Sequence, residues 1–280
     1  MTTAEVATPL HSPSVAPISW WDPASECTVT MATPEAAPDL FAEYHEGAVA
    51  SYARFGVGDA LDSDTARCAA DTVLFWTIAD VDGRVVGGVR AKGPLGSPQD
   101  SHAVVEWAGK AGEADVHDMI AERVPYGIVE MKAAWVDGGG LANRHRVKIL
   151  ARCGFTAIAL LGLDFFMATS AAHVLDQWRS SGGVVAPIPA TPYPDGRYET
   201  KMMWWDRRTF TVHGEPAQVA SVVVEMARVH RSRRPLGDRG RYPRGPEYRP
   251  GVPRLHSTRP THRTRTGQLR HGREDSKPGL

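Results

Sequence analysis

Between Val136 and Asn143 the chain reads Val-Asp-Gly-Gly-Gly-Leu-Ala-Asn, with Arg144, Arg146 and Lys148 close behind. A β-prone run ends there, three glycines turn, and a helical period begins. Backbone N–H groups left free at a helix N-terminus, together with the helix dipole, make a place for an anion. Glycines let the backbone approach a phosphate closely. The basic residues that follow add charge on the first helical turns, so a diphosphate group is the natural guest. The plainer alternative is a tight glycine turn followed by solvated basic residues. A GxGxxG fingerprint is incomplete, and a GxxxxGK loop is absent, so dinucleotide-fold and P-loop readings fall.

The elements that must position this turn follow from periodicity. Thr28–Met31 is a short strand, and Thr33-Pro34 reads as the start of a helix carrying Leu40, Phe41, Tyr44, Val49, Tyr52 and Phe55 at helical spacing, ended by Gly56. Val73–Ala79 and Arg84–Arg90 form a hairpin across Asp80-Val-Asp-Gly83. Val104–Trp107 reads as another short strand, Val116–Glu122 as a helical patch, and Ile128–Val136 as a strand. In that last run alternation puts Ile128, Glu130, Lys132 and Ala134 on one face and Val129, Met131, Ala133 and Trp135 on the other.

After the glycines, Val147, Leu150, Ala151, Gly154, Ile158 and Leu161 line one face of a long helix, and Arg144, Lys148 and Arg152 another. Phe165–Ser170 is a strand, His173–Arg179 a short helix in which His173 reads as a cap, and Tyr198–Trp205 a closing strand. The expected fold class is α/β, a mixed and mostly antiparallel central sheet flanked by helices.

The chain has 280 residues, 42% hydrophobic and 23% charged, enough to bury a core. Its formal net charge is zero, but residues 228–280 hold 15 basic and 4 acidic residues, and the other 227 hold 17 and 28. The expected organisation is a loose proline-rich arm over 1–25, with Trp20-Trp21 docking at its end, and a domain over 26–210. A further helix is expected at 211–229, and a disordered basic tail at 230–280. Cys27, Cys68 and Cys153 have no CxxC spacing, which excludes a disulfide framework and a cysteine zinc site; no metal is expected. The N-terminal stretch lacks the basic and apolar regions of a secretory signal. The apolar run Cys153–Ala172 is broken by Gly154, Gly162 and Asp164, so no membrane span is expected, and a cytoplasmic location is.

Asp137-Gly-Gly-Gly140-Leu-Ala142 resembles the phosphate loop of the GCN5-related N-acetyltransferase superfamily, Gln/Arg-x-x-Gly-x-Gly/Ala, at its fourth and sixth positions; Asp137 departs at the first. The element order over roughly Thr28–Arg207 is similar to that fold as well. The resemblance implies coenzyme A or an acyl-CoA as co-substrate. Val136 would then pair with the pantetheine arm, Gly139, Gly140, Leu141, Ala142 and Asn143 would line the pyrophosphate, and Arg144 would serve a phosphate from the side. It also implies a cleft between the strands flanking the loop. Glu130 becomes the first candidate general base, unless it is only an ion-pair partner of Lys132, and Glu106 the second. Where members of the superfamily carry a tyrosine acid this chain has Trp178, so Tyr193 or Tyr198 would have to return the proton to the leaving thiolate.

Tyr126–Val136 is also slightly similar to the central strand of acyl-homoserine lactone synthases and N-acyl amino acid synthases, which take acyl chains from an acyl carrier protein. Ala133 stands where those relatives have an arginine.

Three functions remain open on the sequence: an acyl-CoA-dependent transferase joining an acyl-thioester donor to an amine acceptor, a non-catalytic or regulatory protein of the same fold, and nucleic-acid association through the basic tail. The last is not favoured, because arginine tails also occur as plain solvated ends and no aromatic-rich binding motif interleaves these arginines.

Overall fold

The computed structural model describes residues 16–138 and 140–232. In chain order the main elements are β1 (Ile18–Asp22), β2 (Cys27–Ala32), α1 (Pro38–Arg54), α2 (Thr65–Ala70), β3 (Thr72–Ala79), β4 (Val85–Lys92), α3 (His102–Trp107), α4 (Glu113–Ala121) and β5 (Ile128–Val136). Then follow α5 (Gly140–Leu161), β6 (Phe165–Ala171), α6 (Leu175–Arg179), β7 (Val184–Val185), β8 (Thr191–Pro192), β9 (Glu199–Asp206), α7 (Phe210–His213) and α8 (Pro216–Ser232). The described strands form one sheet in the order β1-β2-β3-β4-β5-β6-β9-β7, with β8 also on β9.

Tight turns make the first strands a meander. At the β3–β4 turn the Asp80 carboxylate accepts from the backbone N–H of Asp82 and Arg84, and Gly83 takes a φ of 83°. Every described neighbour pair is antiparallel except β5 with β6, whose connection is the crossover helix α5. α1 covers one face, where Phe41, Tyr44 and Ala48 meet Phe75, Ala133 and Trp135. α5 and α8 cover the other, over Val29, Met31, Trp76, Val129, Met131 and Phe166. No described helix is long and apolar enough to cross a membrane.

Four sequence readings are corrected. The stretch 18–22, expected within a loose arm, is an edge strand: β1 pairs with β2, Trp20 is buried, and Trp21 stays 50% exposed. Val104–Trp107, expected as a strand, belongs to helix α3. Ser101 caps it by accepting the Ala103 N–H at 3.2 Å, and Ala103, Glu106 and Trp107 bury at helical spacing. α1 starts at Pro38 rather than at Thr33-Pro34, and the Thr33 hydroxyl instead closes a turn onto the Ala36 N–H. Fourth, the alternation along β5 breaks. Ala133 has a φ of 52°, and the register against β4 jumps from Arg90↔Lys132 to Gly88↔Trp135, a β-bulge. Ala133 and Trp135 thereby join the α1 face, away from Val129 and Met131.

Arg152, expected on a polar helix face, is 4% exposed. Its Nε donates to both Glu225 oxygens (2.9 and 3.0 Å), Nη1 to Gln218 (3.1 Å) and Nη2 to Asp22 (2.5 Å). The Trp20 indole also donates to Glu225, at 3.3 Å. One guanidinium thus ties β1 and α8 to α5.

α5 lies close on β6 because Gly154 faces Phe166: a Cβ there would stand 2.5 Å from Phe166 Cδ2. Phe166 is itself stacked on Trp205 with ring centroids 4.6 Å apart, so it has little room to give way. Gly154→Val should therefore cost about 1–3 kcal/mol by overpacking, read as a lower urea midpoint with an unchanged m-value.

Candidate functional site

β5 and β6 hydrogen-bond only where Ile128, Val129 and Glu130 face Phe165, Phe166 and Met167. Beyond that point β5 continues with β4 to Val136, and β6 continues with β9 to Ala171, so the two strands part. From Met131 to Val136, β5 meets no described strand on its β6 side. A cavity of about 790 Å³ fills the gap, lined by Lys132–Val136 on one side and Ala168–Ala171 on the other, with Val147 and Leu150 of α5 behind.

A buried polar cluster borders this cavity. Lys132 Nζ lies 3.2 Å from Glu106 Oε1 and 3.9 Å from Glu130 Oε1. The Thr169 hydroxyl donates to Glu106 Oε1 at 2.9 Å, while Glu106 Oε2 is buried without a partner. His102 Nε2 lies 2.8 Å from the Tyr193 hydroxyl and 3.8 Å from Glu106 Oε1. Tyr52 lines the same cavity.

The charges follow from these neighbours. Burial pushes the Glu106 carboxyl above its usual range; the Lys132 ammonium opposes this and the Glu130 carboxylate reinforces it. Burial works against the Lys132 charge too, but Glu106 and Glu130 outweigh it, so Lys132 is held as a cation. Burial raises the Tyr193 phenol, against the pull of Lys132, so it keeps its proton.

Burial, with Lys132, Lys92 and Arg90 nearby, drops His102 to about 3 from 6.5, so its imidazole is neutral and its approach to Glu106 is not an ion pair. The unfolded chain then binds a proton that the folded chain refuses between these two values, and stability contributed by neutral His102 is lost as pH falls through that window. The groups around the ring are Lys132 and Glu130 of β5, Arg90 and Lys92 of β4, Glu106 of its own helix, and Tyr193. His102→Gln should flatten the acid side of a melting-temperature profile relative to wild type.

The expected site residues divide. Glu106 and Tyr193 come together at the cavity. Glu130, expected to face the cleft, does not line it: it is fully buried, and its Oε2 accepts the His102 backbone N–H at 2.8 Å. Tyr198 also lines the cavity, and His173, exposed in a short 3-10 turn, lines it rather than capping a helix.

At the turn, Val136, Gly138 and Asn143 line the cavity, and the Asn143 side-chain oxygen is buried without a partner. Gly139 lies outside the described residues. Gly140, Leu141 and Ala142 form the first turn of α5, and Arg144 is exposed without lining the cavity. Asp137, the residue that departs from the phosphate-loop pattern, accepts the Gly138 N–H at 3.0 Å and pairs with Arg54 (3.3 Å) and Arg84 (3.2 Å). The Arg54 hydrogen bond, despite some desolvation, holds its carboxyl below the usual range. Arg146 donates to the Asp137 carbonyl. The unpaired edge of β5 leaves its backbone groups open to an extended ligand, and Arg54, Arg84 and Arg146 gather positive charge around Asp137.

Sequence reasoning missed His102, the central place of Lys132, and Thr169. His102 and Glu106 sit four residues apart, a spacing that brings them within reach of each other on a helix but leaves them roughly 13 Å apart along a strand, so reading the stretch that holds Glu106 as a strand hid the pair.

No protein-family model matches the chain. Uncharacterized protein Rv1356c of Mycobacterium tuberculosis is 46% identical over 215 residues, covering 76% of this chain and 82% of the relative. Uncharacterized protein Mb1391c of Mycobacterium bovis matches with the same figures. Among solved structures, the chain is similar to FeeM, an N-acyl amino acid synthase from uncultured soil microbes, with a TM-score of 0.48 and 13% identity, over 72% of this chain and 95% of that one. It is also similar to BjaI, a CoA-dependent acyl-homoserine lactone synthase, with a TM-score of 0.44 and 13% identity, over 78% and 98%. At 46% identity over most of both chains, this protein belongs to the same family as the mycobacterial proteins Rv1356c and Mb1391c.

Proposed function

We propose that the chain is an N-acyltransferase, which takes an acyl group from a thioester of coenzyme A or an acyl carrier protein and passes it to an amine. The observation that carries this reading is the parting of β5 from β6 beside a buried carboxylate and a phenol. An extended thioester arm would lie along the free edge of β5 from Met131 to Val136. Its phosphates would reach Gly138, Asn143 and the first turn of α5, with Arg54, Arg84 and Arg146 supplying positive charge.

Glu106 takes the proton that the attacking nitrogen must lose, since its raised proton affinity suits an amine at neutral pH. The amine attacks the carbonyl carbon, the C–S bond breaks with its electron pair on sulfur, and Tyr193 gives its hydroxyl proton to that sulfur. For a neutral amine, the proton lost by nitrogen balances the one gained by sulfur. Lys132 stays charged throughout and fixes Glu106 in place.

Ala168 stands on β6 just past the last β5–β6 pair. Ala168→Phe should fill the gap and lower affinity for acetyl-CoA and octanoyl-CoA by at least about tenfold in calorimetry, with the fold intact by circular dichroism. Gly140→Val should weaken the same binding at the phosphate end. Equal affinity in wild type and both variants would remove this cleft as the donor site.

A further inference from the structure

The first residue of α3 is fixed from two sides. The His102 backbone N–H donates to Glu130 Oε2 at 2.8 Å, and Glu130 is 0% exposed. The imidazole meets the Tyr193 ring edge-on with centroids 5.7 Å apart. Two oxygens face its Nε2, Tyr193 Oη at 2.8 Å and Glu106 Oε1 at 3.8 Å. A lone pair on Nε2 would be set against a carboxylate oxygen, and the phenol proton would have to point back at the ring. A proton on Nε2 is attracted by both oxygens.

We propose that His102 is a positioning residue for Tyr193: neutral, protonated on Nε2, and donating to the phenol oxygen so that the phenol's own proton points into the cavity. Glu130 acts one step further back, by fixing the His102 backbone. Burial of the ring, with the cations Lys132, Lys92 and Arg90 around it, keeps a second proton off it, so His102 remains a pure donor at neutral pH. After Tyr193 has given its proton to sulfur, the His102 N–H stabilises the phenolate that remains. The proton that Glu106 took from the amine restores the phenol, and the cycle neither gains nor loses one. No change of charge on His102 is needed.

The hydrogen-bond arrangement is testable without any substrate. In the full chain labelled with ¹⁵N-histidine at pH 7, the imidazole signal that disappears in His102→Gln should show the neutral form protonated on Nε2, and that proton should shift in Tyr193→Phe. A neutral form protonated on Nδ1, or an imidazolium, overturns the proposal.

The positioning role rests on the acyl-transfer reading and is tested by thiol release from octanoyl-CoA with n-butylamine. His102→Leu should lower kcat at least about tenfold with the donor KM unchanged, because a donor to the acid is lost. His102→Gln, whose side-chain N–H can still donate, should restore most of it. Equal kcat in the leucine and glutamine variants overturns the positioning role. If wild type releases no thiol with this pair or with any other acyl thioester and primary amine, the acyl-transfer reading fails, while the imidazole signal still decides the arrangement.

Discussion

Glu106→Gln should lower turnover on the order of a hundredfold or more while leaving affinity for the acyl thioester nearly unchanged. Glutamine keeps the shape of the side chain and an oxygen for Lys132 and Thr169, so the fold around the site is preserved. What it removes is the place for the amine's proton. Glu106 is 1% exposed and has one oxygen without a partner beside the cavity, and its burial raises its proton affinity. Glu130→Gln is the contrasting variant. A glutamine there still offers an oxygen to the His102 N–H, and position 130 does not line the cavity, so turnover should fall less than about tenfold. If the two variants exchange these results, the base is Glu130, and α3 serves only to close the site.

Arg152→Met should cost about 3–5 kcal/mol of stability. Glu225 and Asp22 would be left as neighbouring carboxylates, both largely buried, and Gln218 would lose its donor. Burial already raises the Glu225 carboxyl despite Arg152; without the guanidinium, the penalty on its charged form is uncompensated. Urea unfolding measures the total, and hydrogen exchange should show β1 and α8 opening first. The Arg152→Met, Glu225→Leu pair should recover much of the loss, since replacing a buried ion pair by apolar groups is often close to neutral. A loss under about 1 kcal/mol for Arg152→Met alone would mean that water already reaches this network.

Periodicity made most strands and the long helix legible, because their apolar spacing is imposed by burial on two faces of one sheet. The glycine turn, legible for the same kind of local reason, borders the cavity through Val136, Gly138 and Asn143. What escaped the sequence depends on contacts between distant residues. The bulge at Ala133 inverts the faces of β5 in response to its register against β4, and no residue within the run announces it. Trp20 and Arg152 are buried through partners 205 and 73 residues away. Glu130 carries the right chemistry on the right strand, yet its carboxylate is taken up by a backbone N–H from α3. Tyr193 reaches His102 from a loop 91 residues on, a distance that no local pattern encodes.

The central claim, that the gap between β5 and β6 serves acyl transfer to an amine, is tested most directly by mass spectrometry of products. The purified full chain is incubated with acyl-CoAs from acetyl to dodecanoyl, and with the matching acyl carrier protein thioesters, each alongside a panel of primary amines. The account predicts an N-acyl amide and a free thiol in equal amounts for at least one pair, both lost in Glu106→Gln. Thiol released without amide, or no turnover with any donor while the thioester still binds, would contradict it.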